Sequence, residues 1–125
     1  MHPFRAAIEA RDAEAAAAVL ADGVVFRSPI VYKPYAGRSA AAAVVGAALR
    51  VFEDFAYETE LASEDGRDHA LVFRARVGDK EIQGCDFLHH DQDGLVDELT
   101  VMVRPLSAAL ALRERMAAQL EAHSK

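Results

Sequence analysis

Residues 84–104, GCDFLHHDQDGLVDELTVMVR, decide the fold of this chain. Two apolar-rich runs, 85–89 and 95–103, flank Asp91-Gln92-Asp93-Gly94, whose Asp and Gly residues suit a tight reversal; the stretch predicts a long antiparallel hairpin. Strand alternation puts Ile82, Gly84, Asp86 and Leu88 on one face, and across the turn Leu99, Val101 and Val103 supply an apolar wall. Asp86 is therefore a carboxyl group on an apolar face. A buried charge without a partner is so unfavourable that the group neutralises or finds a donor, which makes Asp86 the first candidate for a functional site.

Upstream of the hairpin the period is already two. Phe55, Tyr57, Thr59 and Leu61 alternate with polar or small residues, 63–67 supplies a turn, and 69–77 forms a strand with Leu71, Phe73, Ala75 and Val77 on one side before the turn at Gly78-Asp79. Downstream, Pro105 stops the last strand and Ser107 caps a closing helix, 107–122, with Leu112, Met116 and Leu120 as its apolar stripe. The amino-terminal half reads as helix. Residues 3–10 start at Pro3, Asp12 caps a second helix over 13–21 that Gly23 ends, and Ser39 caps a third over 40–52. Between them lies a short strand at 24–26, followed by a loop with Pro29, Pro34, Tyr32 and Tyr35. Helix, helix, strand, helix, four antiparallel strands and a helix make an α+β fold, in which a curved, mostly antiparallel sheet wraps the helices and encloses a conical apolar cavity.

The chain of 125 residues fits one domain, 1–125, with a core over about 3–105. A net charge of -6 without a Lys/Arg cluster argues against nucleic-acid binding. No apolar run approaches the ~20 residues that span a bilayer, and the charged opening MHPFRAAIEARD lacks the apolar segment of an export signal. The single Cys85 cannot form an intrachain disulfide, so the cytoplasm is the default location.

The order of elements, with the stretches LADGVVFRSP, YAGRSAAAAV and GCDFLHHDQDGLVDELTVMVRP, resembles the nuclear transport factor 2-like superfamily and in particular its bacterial SnoaL-like members. The resemblance covers residues 3–105 and implies a cystatin-like, cone-shaped half-barrel with the last helix as an addition. For function it implies only a cavity, because the superfamily includes ketosteroid isomerases, polyketide cyclases, scytalone dehydratases, limonene-epoxide hydrolases and non-catalytic binding proteins. In ketosteroid isomerases a Tyr on the first helix and a protonated Asp on a late strand form the oxyanion hole, and an Asp before a Pro is the base, a pattern used as a standard worked case of pKa tuning. Here the late-strand Asp matches Asp86, whereas the other two positions match Phe4 and Ser28. Phe4 cannot donate a hydrogen bond and Ser28 has no basic form near neutral pH, so the resemblance does not carry that mechanism over.

Asp86 is thus expected to act as a general acid, general base or ligand-orienting group. Its competing role is structural, paired with Arg74, Arg76 or Arg104 or hydrogen-bonded to Ser28 or a tyrosine. Tyr32, Tyr57 and Ser28 are candidates to position a substrate, and His90, in parity with Asp86, is a secondary proton carrier at the cavity mouth. Phe4, Phe26, Tyr35, Leu49, Phe52, Phe55, Leu88, Leu99 and Val101 are expected to line the cavity. No metal and no cofactor is expected: His89 and His90 point to opposite faces, and Asp93-Gly94 is what a turn uses. Cys85 falls on the outer face, where Phe87, Glu98, Thr100, Met102 and Arg104 form a mixed surface suited to a homodimer. The expected function is binding of a small hydrophobic molecule, with cofactor-independent isomerisation, dehydration, cyclisation or epoxide hydrolysis as the chemistry. The alternatives are a non-catalytic carrier and an interaction module working through the sheet face.

Overall fold

The computed structural model describes residues 2–123. Two short helices, α1 (Pro3–Glu9) and α2 (Ala13–Ala18), lead into strand β1 (Leu20–Arg27), the two-residue strand β2 (Tyr35–Ala36) and helix α3 (Arg38–Val51). Four long strands follow, β3 (Glu53–Ala62), β4 (Asp68–Val77), β5 (Lys80–His90) and β6 (Val96–Arg104), and helix α4 (Leu106–His123) closes the chain. All six strands form one curved, unclosed sheet in the order β2-β1-β6-β5-β4-β3, with β1 parallel to β6 and every other neighbouring pair antiparallel. This is the α+β fold that the order of elements predicts, in the cystatin-like arrangement that the family resemblance implies. Among the described residues no helix is long and apolar enough to cross a membrane.

The predicted hairpin forms, with Leu88 opposite Leu99, Asp86 opposite Val101 and Gly84 opposite Val103. Asp91 closes it: its carboxylate accepts from the amides of Asp93 (2.9 Å) and Leu95 (3.0 Å), and Gly94 takes a φ of 80° that a side chain would resist. Along β4 and β5 the inward residues are buried as their alternation requires. The main core lies between this face and the first three helices, with Phe4, Ala16, Leu20, Val44, Phe73 and Leu99 among its members. A smaller cluster of Val51, Ala75, Val77, Ile82, Ala108 and Leu112 anchors α4.

Gly84 earns its place by what it leaves out. A Cβ there would collide with the ring of Phe73 and sit 2.9 Å from the carbonyl oxygen of Met102. Backbone flanks one side of that space, so relief requires Phe73 to move within a packed core. Gly84→Ala is expected to destabilise the protein by about 1–3 kcal/mol in urea unfolding; an unchanged midpoint would mean that Phe73 swings aside freely.

Four local expectations are corrected. Helix α2 ends at Ala18 rather than at 21, and Leu20 to Gly23 belong to β1. Burial of Leu20 and Val24, and the bond from the Val96 amide to the Val19 carbonyl (2.9 Å), override the helix propensity of the alanines, while a register shift between Leu20 and Val25 absorbs the extra residues. Gly37, not Ser39, precedes α3; its φ of 93° suits glycine, its amide donates to the Val24 carbonyl (2.8 Å), and Ser39 lies inside the helix. Helix α4 begins at Leu106, directly after the cis Arg104–Pro105 bond, so Ser107 is helical rather than a cap. A register shift between Tyr57 and Thr59 breaks the alternation of β3, which leaves Leu61 exposed.

Candidate functional site

Asp86 sits in the middle of β5 with neighbours Leu71 on β4 and Val101 on β6, and only 7% of it is accessible. The structure resolves its partner. The Tyr57 hydroxyl donates to Asp86 Oδ2 at 2.8 Å. The arginines weighed against it are engaged elsewhere: Arg74 pairs with Glu58 (3.1 Å), Arg76 with Asp54 (2.9 Å), and Arg104 donates to Gln83 (3.2 Å). Burial without a cation pushes the Asp86 carboxyl up to about 7, and the Tyr57 hydrogen bond restrains the rise. Burial and the adjacent carboxylate push the Tyr57 phenol up as well, so Tyr57 remains a donor across the accessible pH range.

Tyr57 is held from three sides. Its ring meets Phe55 edge-on at 4.9 Å and Phe73 at 6.3 Å, and the Arg5 guanidinium lies 5.5 Å from its centroid. Arg5 is itself fixed by Glu9 and Glu60, each at 3.0 Å. Phe73 stacks on Phe55 (4.8 Å) and meets Phe52 edge-on (5.5 Å), so an aromatic wall borders the carboxyl group.

Asp86 and Tyr57 line a cavity of about 310 Å³. Phe4, Phe26, Tyr35, Leu49, Phe52, Phe55, Leu99 and Val101 line it too. Leu88 does not: it is 2% accessible and lies in the main core. Helix α4 supplies a wall through Leu112, Arg113, Met116, Ala117 and Leu120. Its apolar stripe was legible in the sequence, but not that it faces the cavity. Among the described residues, Asp86 is the sole carboxyl group of the lining. Arg11 also lines it, with its guanidinium donating to the carbonyls of Leu49 and Phe52.

The remaining candidates are placed as follows. Ser28 is at the cavity wall, but its oxygen accepts from the amides of Ile30 (3.2 Å) and Val31 (3.0 Å), so it shapes the loop. Tyr32 is fully exposed and outside the lining, because the loop turns its side chain to water. His90 is also outside the lining, since the strand end carries it to a separate concavity where its Nε2 lies 2.8 Å from Nε2 of His2. On the outer face Phe87 and Met102 are exposed, and Glu98 pairs with Arg27 at 3.1 Å.

The sequence profile of the SnoaL-like domain matches residues 2–99. Among solved structures, the chain is similar to a steroid delta-isomerase from Pseudomonas aeruginosa, with 42% identity and a TM-score of 0.92 over 96% of this chain and 88% of that one. It is also similar to an uncharacterised protein with a cystatin-like fold from Silicibacter pomeroyi, with 32% identity and a TM-score of 0.92 over 99% of this chain and 89% of that one. No curated protein matches the chain.

Proposed function

The chain belongs to the SnoaL-like domain family, and from that premise we propose that it binds a small hydrophobic carbonyl compound in the cavity and moves a proton on it through Asp86. The observation that carries this reading is the buried Asp86 carboxyl with Tyr57 as its partner and no cation against it. A base poised near neutrality at about 7 combines a useful ionised fraction with enough basicity to take a proton from carbon beside a carbonyl. Tyr57 holds Oδ2 and leaves Oδ1 for the ligand. With a single carboxyl in the lining, the same group takes the proton and returns it, which suits isomerisation or cyclisation without a cofactor. The name carried by the Pseudomonas aeruginosa relative supports this class of reaction. Phe4 and Ser28 stand where ketosteroid isomerases have their tyrosine and their base, so the proton transfer is assigned to Asp86 alone.

The test is deuterium exchange into the carbon beside the carbonyl of a cyclic enone, followed by NMR in heavy water. Exchange should rise with pH through about 7, as the carboxyl ionises. Tyr57→Phe removes the bond that restrains the shift and should move that midpoint up by roughly one pH unit, the worth of a hydrogen bond to a charged group. Ligand binding without exchange would leave the second reading, a non-catalytic carrier, which the mostly apolar lining favours.

A further inference from the structure

A second concavity shares no residue with the first and is lined by His2, Glu60, Asp65, His69, His90 and Asp91, among others. Three imidazoles from distant parts of the chain meet there. His2 comes from the N-cap of α1, His69 from β4 and His90 from β5, with ring centroids 4.6 Å (His2–His69), 4.8 Å (His2–His90) and 5.0 Å (His69–His90) apart.

Their hydrogen bonds determine where the protons sit. His2 Nδ1 accepts from the amides of Phe4 (3.2 Å) and Arg5 (3.4 Å), so His2 carries its proton on Nε2 and donates to His90 Nε2 at 2.8 Å. His90 Nδ1 lies 3.1 Å from the Gly94 carbonyl and donates to it. A backbone carbonyl on the far nitrogen is the usual outer-shell support of a metal-binding imidazole, and it leaves Nε2 of His90 as a lone pair that in the resting state accepts only the His2 proton. His69 Nδ1 is buried with no hydrogen-bond partner among the described residues. Buried polar atoms are nearly always paired, so an orphan on a ring packed against two other imidazoles points to a missing ligand.

We infer that His2, His69 and His90 form a binding site for a divalent transition-metal ion, of which zinc is the type, and that the ion ties the amino terminus to β4 and β5. One nitrogen from each ring lies within 4.8 Å of the others. Zinc–nitrogen bonds of about 2.0–2.1 Å in a tetrahedron place ligand nitrogens roughly 3.3 Å apart, within reach of small ring rotations. Binding displaces the proton that His2 lends to His90: Nε2 gives it up to water and Nδ1 takes one up, so His2 changes tautomer with no net release. The proton of His2 then resides on Nδ1, so its two long cap contacts are exchanged for a coordinate bond. Burial holds His2 down at about 4 and lowers His69, so both are in the neutral form a metal needs at neutral pH. Glu60, Asp65 and Asp91 at the same concavity outweigh Arg67 in charge. Imidazole nitrogen selects zinc, nickel or copper over magnesium and calcium. The other histidine group is already satisfied, because His89 is closed by Asp97 at 2.6 Å.

The test uses the full chain without an affinity tag, titrated with zinc chloride and followed by calorimetry and by the imidazole nitrogen shifts. One ion per chain should bind, moving the signals of His2, His69 and His90 and leaving His89 in place. Magnesium should do nothing, and His69→Asn, which breaks no hydrogen bond of the resting network, should weaken zinc binding at least about tenfold. No saturable binding at millimolar zinc, shifts confined to His89, or wild-type affinity in His69→Asn would each overturn the site. Should that variant fail to fold, the shifts of the unmodified chain decide.

Discussion

Asp86→Asn is expected to lower proton transfer by about 10²–10⁴-fold, the usual worth of a positioned acid or base, while changing ligand affinity by no more than a few-fold. The asparagine has nearly the same shape and can still accept from Tyr57, so the cavity keeps its form. It has no basic oxygen near neutral pH. Among the described residues no neighbouring group can substitute, since the lining holds no second carboxyl and no imidazole. Steady-state kinetics on an exchangeable ketone, with affinity measured separately by calorimetry, separate the two effects. Turnover within a few-fold of the unmodified protein would remove Asp86 from the chemistry and leave the cavity as a binding site.

The same substitution is expected to stabilise the fold at about pH 8 by roughly 2–4 kcal/mol, the free-energy equivalent of a carboxyl raised by up to about three units. Asp86 ionises near 3.8 in the unfolded chain and near about 7 in the folded one. Between those values the unfolded chain has lost the proton that the folded one keeps, so rising pH favours unfolding. The stability is present below about 4, falls as pH rises through about 7, and is level above. The asparagine does not titrate and escapes this loss. Urea midpoints of the two proteins should therefore converge near pH 4 and separate towards pH 8, where the variant is the more stable. Parallel pH profiles would show that Asp86 is solvated or paired with a cation. A site that weakens the fold which holds it is a familiar sign of function.

The sheet was legible because its adjacent strands β4 and β5 obey a strict period of two. Ile82, Gly84, Asp86 and Leu88 are inward for the same reason that Leu71, Phe73, Ala75 and Val77 are. The junction of α2 and β1 was less so, because the alanines before Leu20 favour helix and only the burial of Leu20 and Val24 against the rest of the fold decides otherwise. Asp86 stood out as an acid on an apolar face, yet its partner did not. Tyr57 is on β3 and Asp86 on β5, with β4 between them. Tyr57 pairs with Phe73 and Phe73 with Gly84; the Phe73 ring leans over the side-chain-free glycine, and the Tyr57 hydroxyl reaches diagonally to Asp86. Such a contact depends on a register and an aromatic packing that no single strand encodes. The histidine group had still less signal, since its members at positions 2, 69 and 90 share no local spacing. The sequence draws a metal reading only to the adjacent His89 and His90 and their acidic neighbours, and the pleat separates those two rings.

The central claim is that a buried carboxyl, tied to one phenol and to no cation, waits near neutrality in an apolar cavity. The carboxyl-carbon chemical shift of Asp86, titrated by NMR in the ligand-free protein and assigned with Asp86→Asn, tests it most directly. A midpoint near 7 is the predicted result. A midpoint near the ordinary aspartate value of about 3.9 would contradict it and would mean that water or a cation reaches Asp86 in solution.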